Sequence, residues 1–140
     1  MVNHKKLAFS EAVKFHINLM RMQMALEDVF IEVALNADVP TIILCDRGVM
    51  DASAYIDENI WQAILDETGW STIQLRDRRY DAVIHMVTAA NGATDFYHKE
   101  SKGYNKKTIE EAIDLDKKLI NAWVGHPHFS IIDNRDRHFK

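Results

Sequence analysis

The chain has 140 residues, of which 47% are hydrophobic and 27% charged, and a net charge of -4. That size predicts one domain able to bury a core, and the composition excludes a disordered chain. The acidic balance offers no footprint for nucleic acid, and a single cysteine, Cys45, excludes an internal disulfide framework and fits a reducing compartment. No long apolar run follows the first residues, so neither a signal peptide nor a membrane span is expected, and the cytoplasm is the default.

Residues 9–36 read as one long helix. Phe9, Val13, Ile17, Met20, Met24, Ile31 and Ala34 recur at the spacing of one buried face, while Glu11, Lys14, Asn18, Arg21, Asp28 and Glu32 take the other. Gln23 and Glu27 stand one turn apart at the stripe's edge, where solvated or satisfied polar residues are commoner than ligand contacts. Asp38-Val39-Pro40 ends the helix. The apolar run Thr41-Ile42-Ile43-Leu44-Cys45, bounded by Pro40 and Gly48, has the length and composition of a buried parallel strand. Cys45 would then be a small buried hydrophobe. The run stops at Asp46-Arg47-Gly48, and a carboxylate at the C-terminal end of a strand stands where open α/β sheets place ligands.

Residues 50–56 and 57–68 predict two further helical segments. Asp51 is a candidate cap for the first, with contact to an acceptor hydroxyl as the alternative. Trp61, Ile64 and Leu65 line the second, and Gly69 stops it. In Arg76-Asp77-Arg78-Arg79 a solvated loop with local Asp pairing is the commoner arrangement and a phosphate grip the alternative. Residues 80–87 predict a second core strand, ending in the small-residue turn Thr88-Ala89-Ala90-Asn91-Gly92. No second His or Cys stands at metal spacing from His85, so a core or flank histidine is expected there.

Residues 94–107 are polar, with Lys99, Lys102, Lys106 and Lys107 around Gly103, and form the candidate for a phosphate-facing lid. Thr108-Ile109-Glu110-Glu111 is a capping-box pattern that opens another helix, with Ile109, Ala112, Leu119 and Trp123 on its apolar side and Gly125 at its end. His126-Pro127-His128 reads as a turn. Residues 129–132 are the third short strand, closing on Asp133-Asn134. This order is an α/β pattern with a parallel sheet. Its three strands end in Asp46-Arg47, Thr88 and Asp133-Asn134, which predicts a single site at the C-terminal edge of the sheet.

Residues 42–51, 79–90 and 121–128, together with Ile132-Asp133-Asn134, resemble the AAA-like P-loop domain shared by TRPL translocation defect proteins and the nicotinamide riboside kinase part of NadR regulators. The similarity runs from about Phe9 to Lys140. It implies a three-layer parallel sheet of the P-loop kinase type that binds ATP or GTP with Mg²⁺. Active members of that type transfer or hydrolyse the γ-phosphate. By that resemblance Asp46 is the metal-side carboxylate, Arg47 faces an acceptor or phosphate, and Asp133-Asn134 lie near the base. With Thr88, Lys106 and Lys107, these are the candidate site residues. The TRPL branch further implies phosphoinositide binding and photoreceptor membrane-protein traffic.

The chain departs from this type in three places. No Gly-x-x-x-x-Gly-Lys-Ser/Thr occurs in it, so the first strand and the Walker A loop are expected to be missing. Where such lids carry an arginine, this chain has Asn105-Lys106-Lys107, which supplies charge without the bidentate fork. Longer members continue into a further domain. The expectation is therefore a single, partial P-loop NTPase-like domain over residues 1–140, catalytically impaired, with homodimerisation open as a way to complete its sheet. A non-enzymatic interaction or trafficking module that has lost the nucleotide is the alternative.

Overall fold

The computed structural model describes residues 4–95, 97 and 108–134. In chain order its elements are a long helix α1 (His4–Leu35), a 3-10 turn (Val49–Asp51) leading into the short helix α2 (Ala52–Tyr55), and helix α3 (Glu58–Thr68). A π-helical turn (Ile73–Asp77), strand β1 (Val83–Met86), helix α4 (Ile109–Trp123) and strand β2 (Phe129–Ile132) follow. They group into two compact units, Met1–Leu75 and Arg76–Lys140. The predicted lid, with Lys99, Lys102, Lys106 and Lys107, lies outside the described residues.

In the first unit α1 packs on α3. Val13, Ile17 and Met20 are buried at the predicted helical spacing, together with Val49, Met50, Ala54, Ile64 and Leu75. Complete burial of a side chain such as Ile64 contributes about 1.5–3 kcal/mol relative to exposure. Gly69 adopts the left-handed conformation that ends α3, and its N–H reaches the Leu65 carbonyl at 2.9 Å. The buried stripe of α1 thins towards its C-terminal end, where Met24 and Ala34 are half-buried and Ile31 is exposed. Length explains this. A helix of 32 residues is about 48 Å long, whereas the 11 residues of α3 cover about 16 Å.

Residues 41–45 do not form the predicted strand. Ile42 and Leu44 are 85% and 90% exposed, and Cys45 is exposed where a buried hydrophobe was expected. An apolar run becomes a strand only when a neighbour satisfies its backbone groups. Among the described residues the two strands of the sheet pair with each other alone.

In the second unit β1 and β2 pair in parallel, with Val83 opposite Phe129 and Met86 opposite Ile132. The crossover between them contains α4, whose Thr108 hydroxyl accepts from the Glu111 N–H at 3.1 Å while the Glu111 carboxylate accepts from the Thr108 N–H at 2.8 Å. That is the predicted capping box. Leu119 and Trp123 are buried on α4, and Tyr80 meets the Trp123 ring edge-on at 5.3 Å. The opposite face of β1 is open, with Ile84 66% and Met86 75% exposed. The chain is thus helix-rich α/β with a parallel sheet of two strands. The strand expected over residues 41–45 is not part of that sheet.

Arg76 is held locally. Its guanidinium forms a two-point pair with Asp77, at 2.6 and 3.1 Å, and Nη1 donates to the Val124 carbonyl. The hydrogen bond from Arg76 holds the Asp77 carboxyl below the usual carboxylate range, and the same bond raises Arg76. Gly125 follows with φ +98, and a Cβ there would lie 2.9 Å from Arg76 Nη1. Gly125→Ala should therefore destabilise the chain by about 2 kcal/mol in a denaturant melt, through left-handed strain and displacement of the guanidinium. Because the folded Asp77 value is depressed, the pair's contribution is complete above about pH 4 and fades as pH falls through the lower folded value. Asp77→Asn should flatten that acid limb in melting points taken between about pH 3 and 6.

Candidate functional site

The predicted site residues divide between the two units: Asp46 and Arg47 belong to the first, and Thr88, Asp133 and Asn134 to the second. In the first unit Asp46-Arg47-Gly48 is a turn that enters the 3-10 segment. Glycine is the residue that most readily takes a positive φ in such a turn. Instead Arg47 takes φ +77, and Gly48 is extended at φ -117. A non-glycine residue held in the left-handed region costs on the order of 1–3 kcal/mol and persists only where its surroundings impose it.

Two contacts impose it here. Gln23 Nε2, on α1, donates to the Arg47 carbonyl at 3.2 Å and to Glu27 Oε1 at 3.1 Å. Asp51 Oδ2 accepts from the Gly48 N–H at 3.4 Å and lies 3.9 Å from Arg47 Nη1. Asp51 is buried, while the Arg47 side chain is 60% exposed. Gln23 and Asp51 therefore hold the turn's backbone while the guanidinium remains presented to solvent. Asp51, expected as a cap for α2, makes no side-chain cap bond there and instead reaches back into the turn.

In the second unit the end of β1 is organised by two side chains. Asp116 Oδ1 accepts from the Thr88 N–H and from His85 Nε2, both at 3.1 Å. A carboxylate only accepts, so the His85 proton sits on Nε2. Asn134 Nδ2, just beyond β2, donates to the carbonyls of Thr88 at 2.9 Å and Asn91 at 2.8 Å, with Val87 at 3.4 Å. The Asn91 N–H closes the turn on the Thr88 carbonyl at 2.9 Å. Gly92 has φ +93, and a Cβ on it would press on Asn134 Cβ at 3.3 Å. The structure thus joins Thr88 and Asn134 directly, and Asp133 is the half-buried residue between Asn134 and the end of β2.

Sequence reasoning missed Asp116, and it placed His126 in a turn without its burial or its partner Tyr80. Asp116 had a visible signal, an acid between Ala112 and Leu119 on the apolar face of α4. His126 is buried, donates from Nε2 to the Tyr80 carbonyl at 2.8 Å and accepts from the His128 N–H on Nδ1 at 3.0 Å. Both nitrogens are used in holding the turn, which is the loop role expected of His126-Pro127-His128. His85, as expected, is a core histidine.

The donor set bears on Mg²⁺. Among the described residues no group of three or more His, Cys, Asp or Glu side chains could hold a metal by protein atoms alone. Mg²⁺ is commonly bound through one or two carboxylates completed by substrate phosphates and water, so the exposed Asp46 fits a metal that arrives with a phosphate. An open groove of about 360 Å³ lies nearby in sequence, lined by residues including Phe30, Val33, Ile42 and Leu44. Its one side-chain hydroxyl, on Thr41, already donates to the Val39 carbonyl at 3.0 Å, so the groove suits an apolar occupant rather than a phosphate.

No helix among the described residues is long and apolar enough to cross a membrane. Neither a curated protein nor a solved structure matches the chain. A family model described as an AAA domain does match it, over residues 3–139. With nearly the whole chain covered, including both polar turns and the parallel strand pair, this protein belongs to that AAA domain family, whose domains are of the P-loop NTPase type.

Proposed function

We propose that the chain is a nucleotide-binding domain for ATP or GTP, of the kind shared by TRPL translocation defect proteins and the riboside kinase part of NadR regulators, and impaired in catalysis. The observation that carries this reading is the left-handed Arg47, an exposed cation kept in a costly backbone conformation by Gln23 and Asp51 beside the exposed Asp46. Strain of that kind concentrates where a ligand is met. In this reading Asp46 takes Mg²⁺ together with the phosphates and Arg47 faces a phosphate or acceptor oxygen. Lys106 and Lys107 add positive charge, and the turn held by Thr88 and Asn134, with Asp133, serves the base-binding end. Phosphoryl transfer relies on backbone donors and a lysine around the phosphates. The chain contains no Gly-x-x-x-x-Gly-Lys-Ser/Thr to supply them, which supports binding with little turnover.

The same missing motif, together with the exposed apolar surface around residues 42–44, favours a second reading. In it the chain is a cytoplasmic interaction or trafficking module of the TRPL type that keeps the fold without the nucleotide and meets phosphoinositide through the parent family.

A thermal melt followed by the fluorescence of Trp61, Trp70 and Trp123 separates the two. Nucleotide with Mg²⁺ at about a hundredfold over Kd should stabilise the chain by about 2.7 kcal/mol. Asp46→Asn, at an exposed position, should leave the unliganded midpoint in place and remove the Mg²⁺-dependent part of the rise. A midpoint indifferent to both nucleotides would sink the first reading and leave the second. Arg47→Gly should relieve about 1 kcal/mol of left-handed strain, raising the unliganded midpoint while weakening nucleotide binding.

A further inference from the structure

α1 carries a second apolar stripe that the core of its unit does not use. Phe15, Leu19, Met22, Leu26, Val29 and Val33 follow one another at intervals of four, three, four, three and four residues, and each is between 42% and 65% exposed. Alternating steps of three and four are the signature of a coiled-coil seam and set all six along one line of the helix. Phe15 and Met22 each stand two positions beyond the buried Val13 and Met20, which is about 200° around the helix. The stripe therefore lies opposite the face packed in the unit's core.

We propose that this stripe pairs with the same stripe of a second copy of the chain, with the two α1 helices antiparallel. One register fits every position. With the two-fold axis between Met22 and Leu26, Phe15 of one copy faces Val33 of the other, Leu19 faces Val29, and Met22 faces Leu26. Two-fold symmetry repeats each layer, and large residues meet smaller ones at both ends. Gln23 and Ala25 flank the axis, so no charge confronts its own copy there.

Charge selects the direction. On the N-terminal side of that axis the described side chains of α1 include Glu11, Lys14 and Arg21, a net positive set, whereas the C-terminal side carries Glu27, Asp28 and Glu32. An antiparallel partner brings opposite signs together, and a parallel one in register brings like signs together. The helix has no acid in its first turn and no base in its last, so its own charges leave the macrodipole uncompensated. An antiparallel neighbour compensates it. The six side chains expose on the order of 600 Å² per copy, so pairing would bury roughly 1,200 Å², at the lower edge of the specific interfaces.

Sedimentation velocity on the full chain across the micromolar range tests this. A reversible monomer–dimer equilibrium is expected, weakened by roughly tenfold or more in Leu26→Lys and again in Val29→Lys, with far-UV circular dichroism unchanged in at least one of them. Orientation is read in a Cys45→Ser background. Phe15→Cys chains mixed with Val33→Cys chains should cross-link on oxidation, and Phe15→Cys chains alone should not. A chain that stays monomeric throughout, a dimer untouched by a folded Lys variant, or self-cross-linking of Phe15→Cys would each overturn the proposal. Nucleotide is left out of all samples, so the result stands apart from the binding reading.

Discussion

On α4, Asp116 stands between Ala112 and Leu119, where the helical period calls for an apolar side chain, and it is buried. Burying a carboxylate costs several kcal/mol unless donors compensate it. Here one oxygen takes both the His85 ring N–H and the Thr88 backbone N–H. The consequence is geometric. The helix is tied to the end of β1 at a specific turn, and the amide of Thr88, two residues beyond Met86, is fixed in direction. Asn134 completes the arrangement from the other strand by collecting the carbonyls of the same turn. Removing the Asp116 carboxylate would leave two half-buried donors to find other acceptors, which is why the loop after β1 depends on a residue of α4.

The first unit solves a similar problem by another means. Its turn at Asp46-Arg47-Gly48 has no strand leading into it, so sheet register cannot position it. A single long side chain from α1, Gln23, and the buried Asp51 after the turn do so instead. The cost appears in the backbone, as the positive φ of Arg47. Both candidate turns thus show the same separation of labour. Buried or half-buried amides and carboxylates hold the main chain, and the residues offered to solvent, Asp46 and Arg47 in one and Asn91 and Gly92 in the other, remain on the outside.

What the sequence made legible follows the range of the interaction concerned. The capping box at Thr108, the glycine stop at Gly69, the local pairing of Arg76 with Asp77 and the existence of α1, α3 and α4 all depend on neighbours within a few positions, and patterns in the sequence record them. The strand at 41–45 depended on a partner elsewhere, and hydrophobicity says nothing about whether that partner exists. The left-handed Arg47 was hidden because the neighbouring glycine offered an easier place for the unusual φ. Asp116 and His126 act over separations of 28 and 46 residues, beyond any periodicity. The acid on an apolar helix face was nonetheless a clue to the first of them.

The helices also differ in how many partners they are written for. α3 and α4 are amphipathic in the ordinary sense, with one apolar face, and each has found something to cover it. α1 has apolar residues on two opposite sides and correspondingly weak segregation of polar from apolar residues around its axis. A helix apolar on both sides belongs between two layers, because exposing either side leaves hydrocarbon in water at about 25 cal/mol for each Å². One layer is supplied by α3 and the 3-10 turn. In the proposed pairing the other is the same face of a second copy, because a straight seam with steps of three and four is matched most simply by another helix of the same repeat. The distribution of charge along α1 then decides which way that helix runs.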